Sequence, residues 1–228
     1  MLTHTEPCTV AINRPPVFAS PLKVRRGIAA IDAMGTQMKF STNTEIFGEG
    51  EPAEYVYKVV TGAVRTYNVL GDGRRQISGF YLPGEIFGLE VGSEHRYSAE
   101  AINRVTVLVV RRSALVSLAQ RDCAAAHELW AFTGRELRRA QEHMRVYVKT
   151  APQRVASFLL EMSRRLSASD AIELPMSRQD IADYLGLTIE TVSRTMTHLA
   201  SEQAIALPTA RRIVLRNAGM LRRLNAGS

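Results

Sequence analysis

Ser177-Arg178-Gln179-Asp180-Ile181-Ala182-Asp183-Tyr184-Leu185-Gly186-Leu187-Thr188-Ile189-Glu190-Thr191-Val192-Ser193-Arg194 reads as two helices joined by a tight turn. Ser177 is a good N-cap, Asp180 complements a helix N-terminus three residues on, and Ile181, Ala182 and Leu185 give a buried stripe. Gly186 stops this helix because it tolerates left-handed backbone. Thr188 then caps a second helix running to about Ala204, with Val192, Met196 and Leu199 buried. Two helices with a short Gly-containing turn form a helix-turn-helix, whose second helix enters the major groove.

On that second helix Glu190, Ser193 and Arg194 stand at i, i+3 and i+4 and share one face. Arg can donate two hydrogen bonds to guanine O6 and N7, Glu can accept from cytosine N4, and Ser can contact either. These three are the expected base contacts, and they favour a G·C pair in each half-site. The competing reading is a solvated face with an i, i+4 Glu190 to Arg194 salt bridge. The capped helix before it tips the balance towards DNA.

Downstream, Ala204 to Leu207 and Arg212 to Leu215 are strand-like and form an expected hairpin wing, which places Arg211 and Arg212 near the DNA backbone. Ser177, Arg178, Thr188, Thr191 and Thr197 are expected to supply backbone or supporting contacts. Upstream, a helix over Gln153 to Leu166 and a β-prone Ile172 to Pro175 complete the domain.

Ala124 to Lys149 runs without proline, and Ala126, Trp130, Thr133, Leu137, Ala140, Met144 and Tyr147 recur at spacings of 4, 3, 4, 3, 4, 3. So narrow an apolar seam suits pairing with a second copy of the helix better than a place in a monomer's core. Arg135, Glu136, Arg138, Arg139, Glu142 and Arg145 are expected on its other face. Pro152 marks the hinge to the last domain.

Before this helix, Tyr55 to Val60, Ala63 to Val69, Gln76 to Leu82 and Val105 to Val110 are short β-prone runs. Thr61-Gly62, Gly71-Asp72-Gly73 and Pro83-Gly84 punctuate them as turns, which suggests a barrel or roll. Ser113 to Gln120 is an expected short helix, and residues 1 to about 20, rich in proline, a loose arm. The expected fold is α+β, in four parts: an arm over 1–20, an antiparallel β-roll over 21–123, a dimerisation helix over 124–150 and a winged helix-turn-helix over 151–228.

Composition agrees. The 228-residue chain has a formal net charge of +7, and residues 185–228 hold six Arg against Glu190 and Glu202. Such an excess favours an anionic partner. Two cysteines, Cys8 and Cys123, cannot make a disulfide framework or a four-thiolate metal site, which fits a reducing cytoplasm. No apolar window is long enough for a signal peptide or a membrane helix, so a soluble cytoplasmic protein is expected. No cofactor or metal is expected, and enzyme chemistry finds little support. Of five histidines only His95 falls in the β-roll, and neither a phosphate-cradling loop nor a Ser/His/Asp cluster stands out. Cys123, at the start of the long helix, is a candidate redox thiol, although a small packed side chain is the plainer reading.

From Ser177 to Arg194, and with Phe47-Gly48-Glu49-Gly50, Tyr55 to Gly62 and Pro83-Gly84-Glu85-Ile86-Phe87-Gly88, the chain resembles the Crp/Fnr superfamily of bacterial regulators, nearest its FixK and Fnr branch. The resemblance spans about residues 30 to 220. It implies a β-roll like a cyclic-nucleotide-binding domain, and a homodimer on palindromic double-stranded DNA with half-sites like TTGAT. It also implies contact with RNA polymerase and control of low-oxygen respiration or nitrogen-fixation genes, most simply as an activator. Two departures matter. Two cysteines cannot carry the four-cysteine iron–sulfur cluster of Fnr proteins. Where cyclic-nucleotide receptors place a Glu and an Arg, this chain has Leu89 and Tyr97-Ser98-Ala99, leaving a cyclic phosphate without its charge partner. An effector-independent regulator is therefore expected. The alternatives are the same dimer gated by a small molecule in the β-roll, or a ligand-binding module with no DNA role.

Overall fold

The computed structural model describes residues 29–166 and 171–227, so the expected arm and Cys8 lie outside the described residues. After a short helix α1 (Ala29–Met34), eight strands follow: β1 (Thr36–Phe40), β2 (Glu45–Phe47), β3 (Tyr55–Thr61), β4 (Val64–Val69), β5 (Arg75–Tyr81), β6 (Ile86–Phe87), β7 (Ser98–Ala101) and β8 (Val105–Arg111). They form two antiparallel four-stranded sheets, ordered β1-β8-β3-β6 and β2-β7-β4-β5. Phe47, Tyr57, Val59, Val64, Phe87, Ala99 and Val107 bury one core between them. Val56, pointing the other way from Tyr57, joins Ile31, Ile86, Val110, Leu115 and Phe132 in a second core.

The turn residues do what their chemistry requires. Gly62, between β3 and β4, has φ +82°, and a Cβ there would lie 2.4 Å from the Arg104 carbonyl oxygen. In Gly71-Asp72-Gly73 the Leu70 carbonyl accepts from Gly73 N, closing the β4–β5 hairpin. Strands β1, β2, β6 and β7 escaped the sequence reading. The last is Ser-Ala-Glu-Ala, poor in β propensity, with Ala99 and Ala101 both fully buried.

Then come α2 (Arg112–Arg121), α3 (Cys123–Val146), α4 (Ala151–Arg165), β9 (Ala171–Glu173), α5 (Arg178–Leu185), α6 (Ile189–Ser201), β10 (Ile205–Ala206), β11 (Arg212–Leu215) and α7 (Ala218–Ala226). Pro152 falls in the first turn of α4, where its missing N–H costs nothing, after a Thr150/Gln153 capping box. The break lies just before it, between α3 and α4. The expected hairpin wing forms from β10 and β11, and β9 pairs with the far edge of β11 to make a three-stranded sheet, β10-β11-β9. Helix α7, absent from the sequence reading, packs on α4 and ties Asn225 to Lys149 Nζ at 2.6 Å.

Candidate nucleic-acid interface

The helix-turn-helix is built as its capping residues dictate. Ser177 Oγ accepts from Asp180 N at 3.1 Å, and the Asp180 carboxylate accepts from Ser177 N at 2.9 Å and Oγ at 2.8 Å. This reciprocal box satisfies two of the N–H groups a helix start leaves open. Gly186 ends α5 in left-handed backbone at φ +63°. Thr188 Oγ1 then accepts from Thr191 N at 3.2 Å to start α6. Val192, Thr195, Met196 and Leu199 are buried under α6, so Ile189, Glu190, Arg194 and Thr197 face outward, with Ser193 half-buried between them.

Glu190 is fully exposed, and hydrogen bonding from its own backbone N–H, then from Thr188, holds its carboxyl below the usual range, with the charge of Arg194 adding to this. Among the described residues no ion pair within 4.0 Å occupies the Arg194 guanidinium, so the salt bridge of the solvated-face reading does not form. Arg211 and Arg212 are exposed on the wing. The supporting group divides. Ser177 spends its hydroxyl on the cap, Arg178 turns inward with its guanidinium on Met196 Sδ, and Thr197 donates to Ser193 O at 3.0 Å.

Along α3 the expected seam faces solvent in the single chain. Trp130, Leu137 and Met144 are 79%, 59% and 69% exposed, with Thr133 and Ala140 exposed beside them and Ala126 half-buried. Tyr147 differs, since its hydroxyl meets Gln76 Nε2 at 2.8 Å and its ring lies against Gly186, within the chain. The opposite face is not the all-polar surface expected. Phe132 and Val146 are buried, and Arg139 donates to Phe80 O and lies 4.9 Å over the Tyr81 ring. Glu85 collects Arg139 at 3.8 Å and Arg165 at 2.6 Å. Cys123 is exposed in the single chain, at the first turn of α3.

A cavity of about 250 Å³ lies between the β-roll and α3, with Leu89, Tyr97, Phe87, Tyr81, Thr133 and Arg139 in its wall. Both positions that depart from the cyclic-nucleotide pattern therefore line it. His95 is buried and stacked on Phe47 at 3.6 Å between ring centroids, in the core rather than the cavity. Among the described residues no group of three or more His, Cys, Asp or Glu could hold a metal ion. No helix there is long and apolar enough to cross a membrane.

An antiparallel β-roll, a long connecting helix and a winged helix-turn-helix define a class of two-domain DNA-binding transcription regulators. Residues 37–122 match the model of the cyclic nucleotide-binding domain, and residues 153–224 that of the Crp-like helix-turn-helix domain. The chain is 48% identical over 219 residues to the nitrogen fixation regulation protein FixK of Azorhizobium caulinodans, covering 90% of this chain and 88% of that protein. It is 38% identical over 181 residues to the transcriptional activatory protein AadR of Rhodopseudomonas palustris, covering 77% of this chain and 76% of that one. The solved structure of FixK2 from Bradyrhizobium japonicum superposes with a TM-score of 0.82 at 52% identity, over 86% of this chain and 99% of that one. The chain belongs to the Crp/Fnr family, among its FixK- and Fnr-type members, and is a DNA-binding transcription regulator, not an enzyme.

Proposed function

We propose that this protein is an effector-independent activator that binds, as a homodimer, a palindrome with TTGAT-like half-sites and recruits RNA polymerase there. The observation that carries the reading is the outward face of α6, where Glu190, Ser193 and Arg194 sit in the first two turns after a capped start. That is the part of a recognition helix that meets base edges. Arg194 reads guanine, Glu190 its cytosine partner or a neighbouring one, and Ser193 an adjacent group. Arg211 and Arg212 contact phosphates, with Thr188, Thr191 and Thr197 around them. Ala126, Trp130, Thr133, Leu137, Ala140 and Met144 form the dimer seam, with Tyr147 at its end. The domain division proposed is 21–123, 124–150 and 151–228. The names nitrogen fixation regulation protein, for FixK, and transcriptional activatory protein, for AadR, support an activator of nitrogen-fixation genes, while control of low-oxygen respiration rests on the resemblance to the family.

A hollow of about 650 Å³ on the β-roll, lined by Met38, Phe40, Tyr55 and Val109, is where the ligand-gated alternative would act. The cavity lined by Leu89 and Tyr97, at the cyclic-nucleotide positions, supports effector independence: at about 250 Å³ it falls below the ~300–1,000 Å³ of ordinary ligand pockets. Arg139 in its wall is already engaged by Phe80 O and Glu85. The test is transcription in vitro with purified RNA polymerase and no added small molecule, from a promoter carrying the palindrome. Transcription should rise with added protein and stay flat on a promoter with scrambled half-sites. Activation that appears only when a cell extract's small-molecule fraction is added would instead establish ligand gating through the β-roll.

A further inference from the structure

We infer that the β4–β5 hairpin is the positioning element of the recognition helix: Arg65, Arg75 and Gln76 hold α5 through Asp180 and Asp183, and so set the half-site separation the dimer reads. The inference rests on the DNA-binding, dimeric reading proposed above. Asp180 is 2% exposed, and its Oδ1 accepts from Arg65 Nη1 at 3.0 Å and Arg75 Nη2 at 2.7 Å, across 115 and 105 residues of chain. Arg65 is itself anchored in its sheet by Glu100 at 2.6 Å and Asn43 at 3.2 Å. Asp183 Oδ2 takes Arg75 Nε at 3.0 Å and Nη2 at 2.9 Å, while the Asp183 carbonyl takes Gln76 Nε2 at 2.9 Å.

Asp180 and Asp183 lie one turn apart on one face of α5, so the two sets of contacts fix both its rotation and its position along the hairpin. Apolar packing backs them. Ile77 and Phe80 share a buried core with Ala182 and Tyr184, and the Phe80 and Tyr184 rings are 5.0 Å apart. Because α6 packs directly on α5, the hairpin's hold on one is a hold on the other. Buried ion pairs contribute little net stability compared with apolar substitutes, and their best-attested use is to select one geometry. Here the geometry selected is that of a reading head. One base-pair step moves the target about 3.4 Å along the duplex and about 34° around it. A head held rigidly to the β-roll matches one spacing, whereas a head loose at the α3–α4 junction matches several.

The test is binding of the purified full-length protein to duplexes with identical half-sites and central spacers one and two base pairs shorter and longer than the preferred one. Wild type should favour one spacer by about tenfold or more over its neighbours. Arg65→Met and Arg75→Ala should each compress that preference to about threefold or less, while a changed guanine in the half-site costs the variants the same factor as wild type. Arg75 is partly exposed, so Arg75→Ala keeps the test informative if Arg65→Met does not fold. Arg74→Ala, at the exposed hairpin tip where Arg74 pairs only locally with Asp72, should keep the wild-type profile. Variants that bind every spacer more weakly by one common factor would overturn the inference and leave the function standing. A wild type that does not select the palindrome at all would overturn the functional reading, and the inference with it.

Discussion

Arg194 and Arg212 carry the same charge, and the proposed function gives them different work. A guanidinium on the outward face of α6 meets base edges and discriminates between them, whereas one on the exposed wing meets phosphates that all sequences share. Arg194→Ala should therefore cost about 1–3 kcal/mol on the specific palindrome and little on random duplex. Arg212→Ala should weaken both alike and reduce the slope of log K against log salt by about 1. Fluorescence anisotropy titrations over a salt series measure both. A second residue-scale outcome concerns protons. Burial, and for each a nearby cation (Arg112 and Arg139), pushes the imidazoles of His95 and His143 below the ordinary 6.5. The unfolded chain then takes up protons near pH 6.5 that the folded chain refuses. Their contribution is present above that pH and is lost as pH falls below it. For Glu85 burial works upwards, but Arg165 and Arg139 outweigh it and lower the carboxyl below 4.5, so its contribution is lost only in stronger acid. The melting temperature should drop between about pH 7 and 5.5, and His143→Gln should flatten part of that drop.

At the scale of elements, α3 has two working faces. Phe132, Arg139 and Val146 fasten it to its own chain, while Trp130, Leu137 and Met144 stay in water. An exposed row of large apolar side chains at heptad spacing is the surface that the proposed dimer would bury. Leu137→Glu should halve the mass measured by light scattering at micromolar concentration. It should leave circular dichroism at low temperature unchanged, since Leu137 is 59% exposed in the single chain. The exposed apolar row was legible because its period is written locally, and so were both helix-turn-helix caps, for the same reason. The inner face of α3 was not. Glu136 and Arg139 read as solvated charges until the β-roll supplies Phe80 O, Tyr81 and Glu85 from at least 50 residues away in the chain. Strand β7 was missed because Ala99 and Ala101 are there for lack of space, not for β propensity. In the wing, β9 was seen as a β-prone piece, but nothing local says that it pairs with β11.

At the scale of the molecule, what the sequence could not disclose is how the two domains meet. Asp180 was readable as a residue that favours a helix start, and it is one. Its second role, as the buried acceptor for Arg65 and Arg75, depends on a fold that brings residues more than 100 positions apart together. The family was nevertheless legible, because the stretch from Ser177 to Arg194 carries both its architecture and its chemistry in adjacent residues. The central claim is that this chain, unaided, reads a two-fold symmetric DNA site through α6. The most direct measurement is equilibrium binding by the purified protein, with no ligand added and at one near-physiological salt concentration, to three duplexes: the TTGAT palindrome, the same with one half-site scrambled, and a fully scrambled sequence. Tight binding to the palindrome is expected, about 10³-fold or more above the scrambled duplex, with the single half-site well below the palindrome. Equal, weak binding to all three would contradict it.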